Sequence, residues 1–126
     1  MKNVTEKKLV NCSSTAQSTL QMLTEQVVQQ MKKYPQIGTK PWDYQIAAKD
    51  LPCQVGSLLK LIMQLNGERY RHNKTDAELK LQVADELADI LSLVLFISHE
   101  LDINMEIVWS QMLSSDEQKF THRITK

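Results

Sequence analysis

The spacing of apolar residues constrains the fold of this chain more than any other feature of its sequence. In the N-terminal third, for example, Leu20, Leu23, Val27 and Met31 follow one another in steps of three or four residues. This period places the side chains on one face of an α-helix. No segment shows convincing strand alternation, and only three glycines and three prolines are available for tight turns. The sequence therefore predicts an all-α protein rather than a sandwich or barrel.

The first half of the chain is predicted to form two main helices. The first begins near Thr15, capped by Ser14 or Thr15 itself, and ends before Pro35, because a residue that precedes proline disfavours the α conformation. A short helical piece is expected over 42–50. The second main helix follows it, with Pro52 in its first turn, where a missing N–H costs nothing.

The second half carries clearer boundary signals. Thr75 and Glu78 have the spacing of a capping box, which predicts a third helix from about Asp76 to Leu101. A shorter fourth helix, "DINMEIVWSQML", is expected after a cap by Asp102 or Asn104, and a polar, charged tail follows it.

The length of 126 residues suits one domain. Residues 1–14 are expected to be a flexible N-terminal segment, and residues 15–126 a single all-α domain. Four helices joined by short loops predict a four-helix bundle. Between Leu87 and Ile97 the third helix has apolar residues in nearly every direction, which favours burial in a homodimer or homotetramer over a surface with a few exposed apolar residues.

Charge and composition exclude several classes of partner. The formal net charge is zero, so neither nucleic acid nor an anionic membrane is expected as a partner. The longest apolar run, Ile90 to Ile97, is far shorter than the roughly 18 residues that indicate a membrane span. Cys12 and Cys53 are far apart in the sequence and form no CxxC pair, so we interpret them as reduced thiols. With a polar N-terminus that lacks a signal peptide, these features predict a cytoplasmic protein.

Three acidic residues stand just ahead of the apolar run of the third helix. Asp85, Glu86 and Asp89 fall within about 100° of one helical face, where like charges repel and an apolar core removes their hydration. A divalent cation would compensate them, and carboxylate oxygens suit Mg²⁺ or Mn²⁺. The alternative is a solvated face that pairs with Lys74, Lys80 or another basic residue.

The same stretch carries a resemblance to a known family. The segment "DELADILSLVLFISHELDINMEIVW", preceded one helix earlier by "DLPCQVGSLLKLIMQ", resembles the MazG-like all-α nucleoside triphosphate pyrophosphohydrolases. The resemblance extends from about Trp42 to Arg123. It implies an oligomeric helical bundle that uses Mg²⁺ to hydrolyse the bond between the α and β phosphates, giving a nucleoside monophosphate and pyrophosphate.

Within this resemblance one acidic motif matches and the other departs. Glu86 and Asp89 match the E-x-x-D pair of the family, which implies catalytic and metal-binding roles, with Asp85 as a helper. At the E-x-x-E pair of the preceding helix, this chain has Gln54 and Ser57, which offer only neutral oxygens to a metal. The departure implies weakened or altered hydrolysis, or a non-catalytic nucleotide-binding or regulatory homologue. A third possibility is a purely structural helical interaction module.

Further residues could bind the nucleotide. Trp42 could stack on a base, although core packing is the other interpretation of this residue. Several basic side chains could contact phosphate, as the family's late lysine and arginine do, or simply form a solvated surface. These basic residues are Lys60, Arg69, Arg71, Lys119 and Arg123.

Overall fold

The computed structural model describes residues 19–125, so the predicted flexible segment 1–14 and the predicted helix start at Thr15 lie outside the described residues. The described part of the chain contains helices and no strand, which confirms the all-α prediction. The α-helices are α1 (Leu20–Met31), α2 (Tyr44–Leu65), α3 (Asp76–Glu100) and α4 (Met105–Ile124), with a short 3-10 helix, Tyr34–Ile37, after α1.

The predicted capping box of α3 is present. The Thr75 N–H donates to the Glu78 carboxylate at 2.8 Å, and the Glu78 N–H donates to the Thr75 hydroxyl at 3.2 Å. The backbone N–H and, secondarily, the hydroxyl of Thr75 stabilise the charged carboxylate and lower the pKa of Glu78. Of the two caps considered for α4, Asn104 is the one used, because its side chain accepts the N–H groups of Glu106 and Ile107.

The predicted break at the start of α2 is wrong. One helix begins after the Asp43 cap and continues through Pro52 to Leu65. Proline in a helix interior removes one hydrogen bond, here the bond to the carbonyl of Ala48. Both residues are exposed, so water can reach the freed carbonyl. The helix buries Ala47 on the N-terminal side of the proline and Gln64 on its C-terminal side. Packing on both sides of Pro52 therefore stabilises one continuous helix.

The predicted end of α4 is also wrong. The helix does not give way to a tail after Leu113 but continues to Ile124. Residues 114–124 contain neither glycine nor proline, and good helix formers, Glu117, Gln118 and Lys119, stand at their centre. An exposed ion pair between Asp116 and Lys119, three residues apart at 3.3 Å, adds a small local stabilisation. The hydrophobic pattern alone could not reveal this extension, because the last turns pack against little.

The core lies where α1, α2 and α3 meet. Met31 of α1, Ala47 of α2, and Leu93 and Phe96 of α3 form one buried cluster. The half-buried apolar residues around it are Val27, Val28, Tyr34, Trp42, Leu51 and Ile97. Because the beginning of α2 meets the end of α3 in this cluster, the two helices run antiparallel. Their contact is the most extensive in the fold.

The helix α4 is largely unpacked. Its main contact is with α1, and most of its apolar side chains are exposed, among them Trp109 at 53%. On α3, Leu87 and Leu91 are also about half exposed, so the all-round burial expected for this helix is not achieved within one chain. No helix within residues 19–125 combines the length and the apolar character needed to cross a membrane.

Candidate functional site

A compact connection joins α2 to α3. The Arg71 guanidinium donates to the carbonyls of Gln64 at 2.9 Å and Leu65 at 3.2 Å, and it also pairs with the Asp76 carboxylate. One side chain thus satisfies the last carbonyls of α2 and contacts the first residue of α3. This arrangement fixes the two helices at the loop end of the hairpin.

A pocket of about 350 Å³ lies between α2 and α3, in the half of the hairpin nearest this connection. Residues spaced three or four apart line it, as expected when one face of each helix turns towards the other. The lining residues are Ser57, Lys60, Leu61 and Gln64 of α2, and Gln82, Asp85 and Glu86 of α3. The pocket therefore combines two carboxylates, one ammonium group, two amides and a hydroxyl.

The Glu86 carboxylate has an unusual environment in this pocket. Its Oε2 atom is buried and has no hydrogen-bond partner among the described residues. A buried carboxylate oxygen without a donor loses its hydration and gains nothing in return. The atom therefore marks a position where a cation or a donor supplied from outside the chain would be stabilised.

The acids of α3 match the alternative interpretation in part: Asp85 and Asp89 are exposed to solvent, but the expected lysine pairs are not formed among residues 19–125. Within residues 19–125, the ion pairs join Arg71 to Asp76 and Lys119 to Asp116, and none involves Asp85, Glu86 or Asp89. Lys74, one of the expected partners, instead donates to the Gln82 Oε1 atom at 2.9 Å.

The pocket brings together only part of the predicted metal site. Ser57, Asp85 and Glu86 line it, but Asp89 is exposed and does not. Gln54 is also outside the lining, and its amide donates to the Asp50 carboxylate at 3.2 Å. Compared with the predicted site, the pocket is displaced towards the loop end of the hairpin.

The predicted substrate-binding residues are scattered. Lys60 lines the pocket, whereas Arg69 and Arg71 border a separate surface depression formed by the connecting loop. The α4 residues Lys119 and Arg123 are exposed and line neither cavity. Trp42 is half-buried against the core and stacks on Tyr34, with ring centroids 5.4 Å apart.

Two amides were missed by the sequence analysis. Gln64 is buried, and its Nε2 atom donates to the Tyr70 carbonyl at 2.9 Å, while Gln82 accepts from Lys74. Both residues therefore connect the pocket wall to the loop. Their helical spacing from Ser57 and Glu86, seven and four residues, was a signal that could have revealed them.

The pocket residues fit a metal ion only as a partial site. Within residues 19–125, no three His, Cys, Asp or Glu side chains are placed to hold a metal together. Asp85, Glu86 and Ser57 nevertheless offer hard oxygen ligands in one cavity, and Mg²⁺ is commonly bound by one or two carboxylates plus phosphate oxygens. The donor set thus suits a cation shared with a phosphate rather than one enclosed by protein alone.

No family model, curated protein or solved structure matches the chain. The MazG-like resemblance therefore stays a prediction from the sequence.

Proposed function

We propose that this protein is a metal-dependent nucleoside triphosphate pyrophosphohydrolase of the MazG-like type, acting in the cytoplasm. The observation that carries the proposal is the buried Oε2 atom of Glu86, which has no hydrogen-bond partner among residues 19–125 and lies in a pocket with Asp85, Ser57 and Lys60. A carboxylate in this state favours a nearby cation, and a nucleoside triphosphate is a ligand that brings Mg²⁺ with it.

In this proposal each polar side chain of the pocket binds either the metal ion or the phosphate. Glu86 and Asp85 would hold Mg²⁺ with the Ser57 hydroxyl as a neutral ligand, and Lys60 would balance phosphate charge. When bound, the cation supplies polarisation of phosphoryl oxygens and a bound water of lowered pKa. Leu61 contributes an apolar part of the pocket wall beside these groups.

We expect the purified protein to release pyrophosphate and nucleoside monophosphate from at least one nucleotide in a panel of ordinary, deoxy and damaged triphosphates. Mg²⁺ or Mn²⁺ should be required, and EDTA treatment should lower the rate at least about tenfold. The two carboxylates repel a triphosphate, so a bound cation is needed to neutralise the negative charge of both. Chromatographic product analysis with and without metal measures this. Release of orthophosphate alone, or no release from any nucleotide, would contradict the proposal.

A second candidate is a non-catalytic nucleotide-binding or regulatory protein with the same fold. The specific observation in its favour is that the pocket holds two carboxylates, with neutral Ser57 at a position where the family pattern has an acid. Metal binding weakens as charged oxygen ligands are lost. Calorimetric binding of a nucleotide with Mg²⁺ but without turnover would select this candidate.

We also propose that the four helices form a bundle protomer that assembles as a homodimer or homotetramer. The support is the exposed apolar surface of α3 and α4, formed by Leu87, Leu91, Ile107, Val108, Trp109, Met112 and Leu113. Large exposed apolar patches mark association sites, and packing against a second copy would remove these side chains from water. A second copy can cover it with the same residues through a twofold axis.

Sedimentation should therefore give two or four times the 14.5 kDa chain mass. Leu91→Glu should lower that mass, because a charge would be buried at the interface, while Ile37→Glu, at a 75% exposed position on the 3-10 helix, should leave it unchanged. A wild-type chain that sediments as a monomer would refute the assembly.

A further inference from the structure

The side chain of Lys60 is placed to meet a phosphate group. It lies three residues after Ser57 on the α2 wall of the pocket, and Asp85 and Glu86 lie on the α3 wall. Lys60 is exposed and forms no ion pair within residues 19–125. An ammonium group beside two carboxylates, yet free of both, can reorient towards an incoming anion.

The balance of charge in the pocket gives this ammonium group a specific task. The two carboxylates of Asp85 and Glu86 would repel a phosphate, and one divalent cation neutralises them without leaving a surplus of positive charge. Since no third acidic or histidine ligand is grouped with them in the described chain, the protein offers little to hold a second cation. Among the described residues, Lys60 is the one cationic side chain that lines this pocket.

The order of the lining residues along the two helices gives the pocket a long axis. The lining runs from Glu86 and Ser57 past Lys60 to Gln64, whose amide donates to the connecting loop. Lys74 of that loop is held by Gln82 on the opposite wall. A chain of phosphates that begins at the carboxylates would pass Lys60 on its way towards the loop.

We infer that Lys60 binds a phosphate group of the substrate directly, in place of a second metal ion, so that polyphosphate binding needs both one divalent cation and this side chain. This inference rests on the proposed function, because it concerns the same pocket. The positive charge in the pocket would then come from two sources, one cation delivered with the substrate and the Lys60 side chain of the protein.

The test is calorimetric titration of the protein with inorganic tripolyphosphate, in Mg²⁺ and after dialysis against EDTA. We expect wild-type binding in Mg²⁺ and its loss in EDTA, because the two carboxylates then repel the anion. Lys60→Met should reduce the affinity in Mg²⁺ at least about tenfold, the usual worth of a charge-assisted hydrogen bond. Lys49→Met, at an exposed position of α2 outside the pocket, is the matched control and should leave affinity unchanged. Circular dichroism verifies that both variants fold.

Two results would overturn the assignment: wild-type protein that does not bind tripolyphosphate in Mg²⁺, or equal affinity in Mg²⁺ for the Lys60→Met and wild-type proteins. Failure of the proposed function has a different signature. If no nucleotide releases pyrophosphate, while Lys60-dependent tripolyphosphate binding is retained, the hydrolase proposal fails and the assignment of Lys60 stands.

Discussion

Glu86→Gln should lower pyrophosphate release at least about a hundredfold and leave the helical fold as stable as before or more so. Even residues that only support metal ligands cost about 10- to 100-fold when they are replaced, so the loss of a charged ligand should cost no less. Stability should not fall, because glutamine keeps the shape of the side chain and removes the charge of a carboxylate whose buried Oε2 atom has no partner in the described part of the chain. Opposite effects on activity and stability are typical of functional residues.

The measurements are the rate of pyrophosphate release and the midpoint of urea unfolding, both without and with Mg²⁺. Glu100→Gln, at the exposed end of the same helix, is the matched control and should change neither. Asp89→Asn should reduce turnover less than Glu86→Gln, because Asp89 does not line the pocket, whereas the E-x-x-D pattern predicts equal losses. Unchanged turnover in Glu86→Gln would remove the functional assignment of this carboxylate.

Phe96→Ala should lower the free energy of unfolding by about 3–5 kcal/mol, the usual cost of deleting a buried aromatic side chain. Phe96 is 3% exposed and belongs to the cluster that Met31, Ala47 and Leu93 form between three helices. Alanine would leave a cavity that these neighbours, fixed on different helices, cannot fill by relaxing. The expected loss is a large share of the roughly 5–15 kcal/mol that stabilises a typical domain.

Urea denaturation followed by circular dichroism measures the change. Ile37→Ala, at a 75% exposed position, should change the unfolding free energy by less than about 0.5 kcal/mol. A loss for Phe96→Ala as small as this control would mean that the cluster is not the core of the fold.

The elements of the fold were predictable where local chemistry determines them. The Thr75–Glu78 capping box specifies the start of α3 through two hydrogen bonds between neighbours in the sequence, and the predicted and observed ends differ by one residue. Pro52 shows the opposite case. Its local preference favours a helix start, but the packing of α2 along α3 outweighs that preference, and packing between distant segments is not encoded in a local pattern.

The pocket was predictable in type but not in position. The sequence identifies acids that approach a second helix, and Glu86, Asp85 and Ser57 do meet there. Whether Asp89 or Lys60 joins them depends on how far the two helices slide along each other. The Arg71 contacts set that offset at the loop end, and such contacts among a loop, a helix end and a helix start leave no periodic signal.

The bridging role of Arg71 has a consequence for how the pocket between α2 and α3 forms. The described lining side chains all belong to two consecutive helices connected by residues 66–75, so the loop that must close is small compared with the chain. The pocket can therefore take shape early in folding, within one local unit, before distant segments arrive. Variation elsewhere in the sequence can then change solubility with little disturbance to the groups that line this pocket.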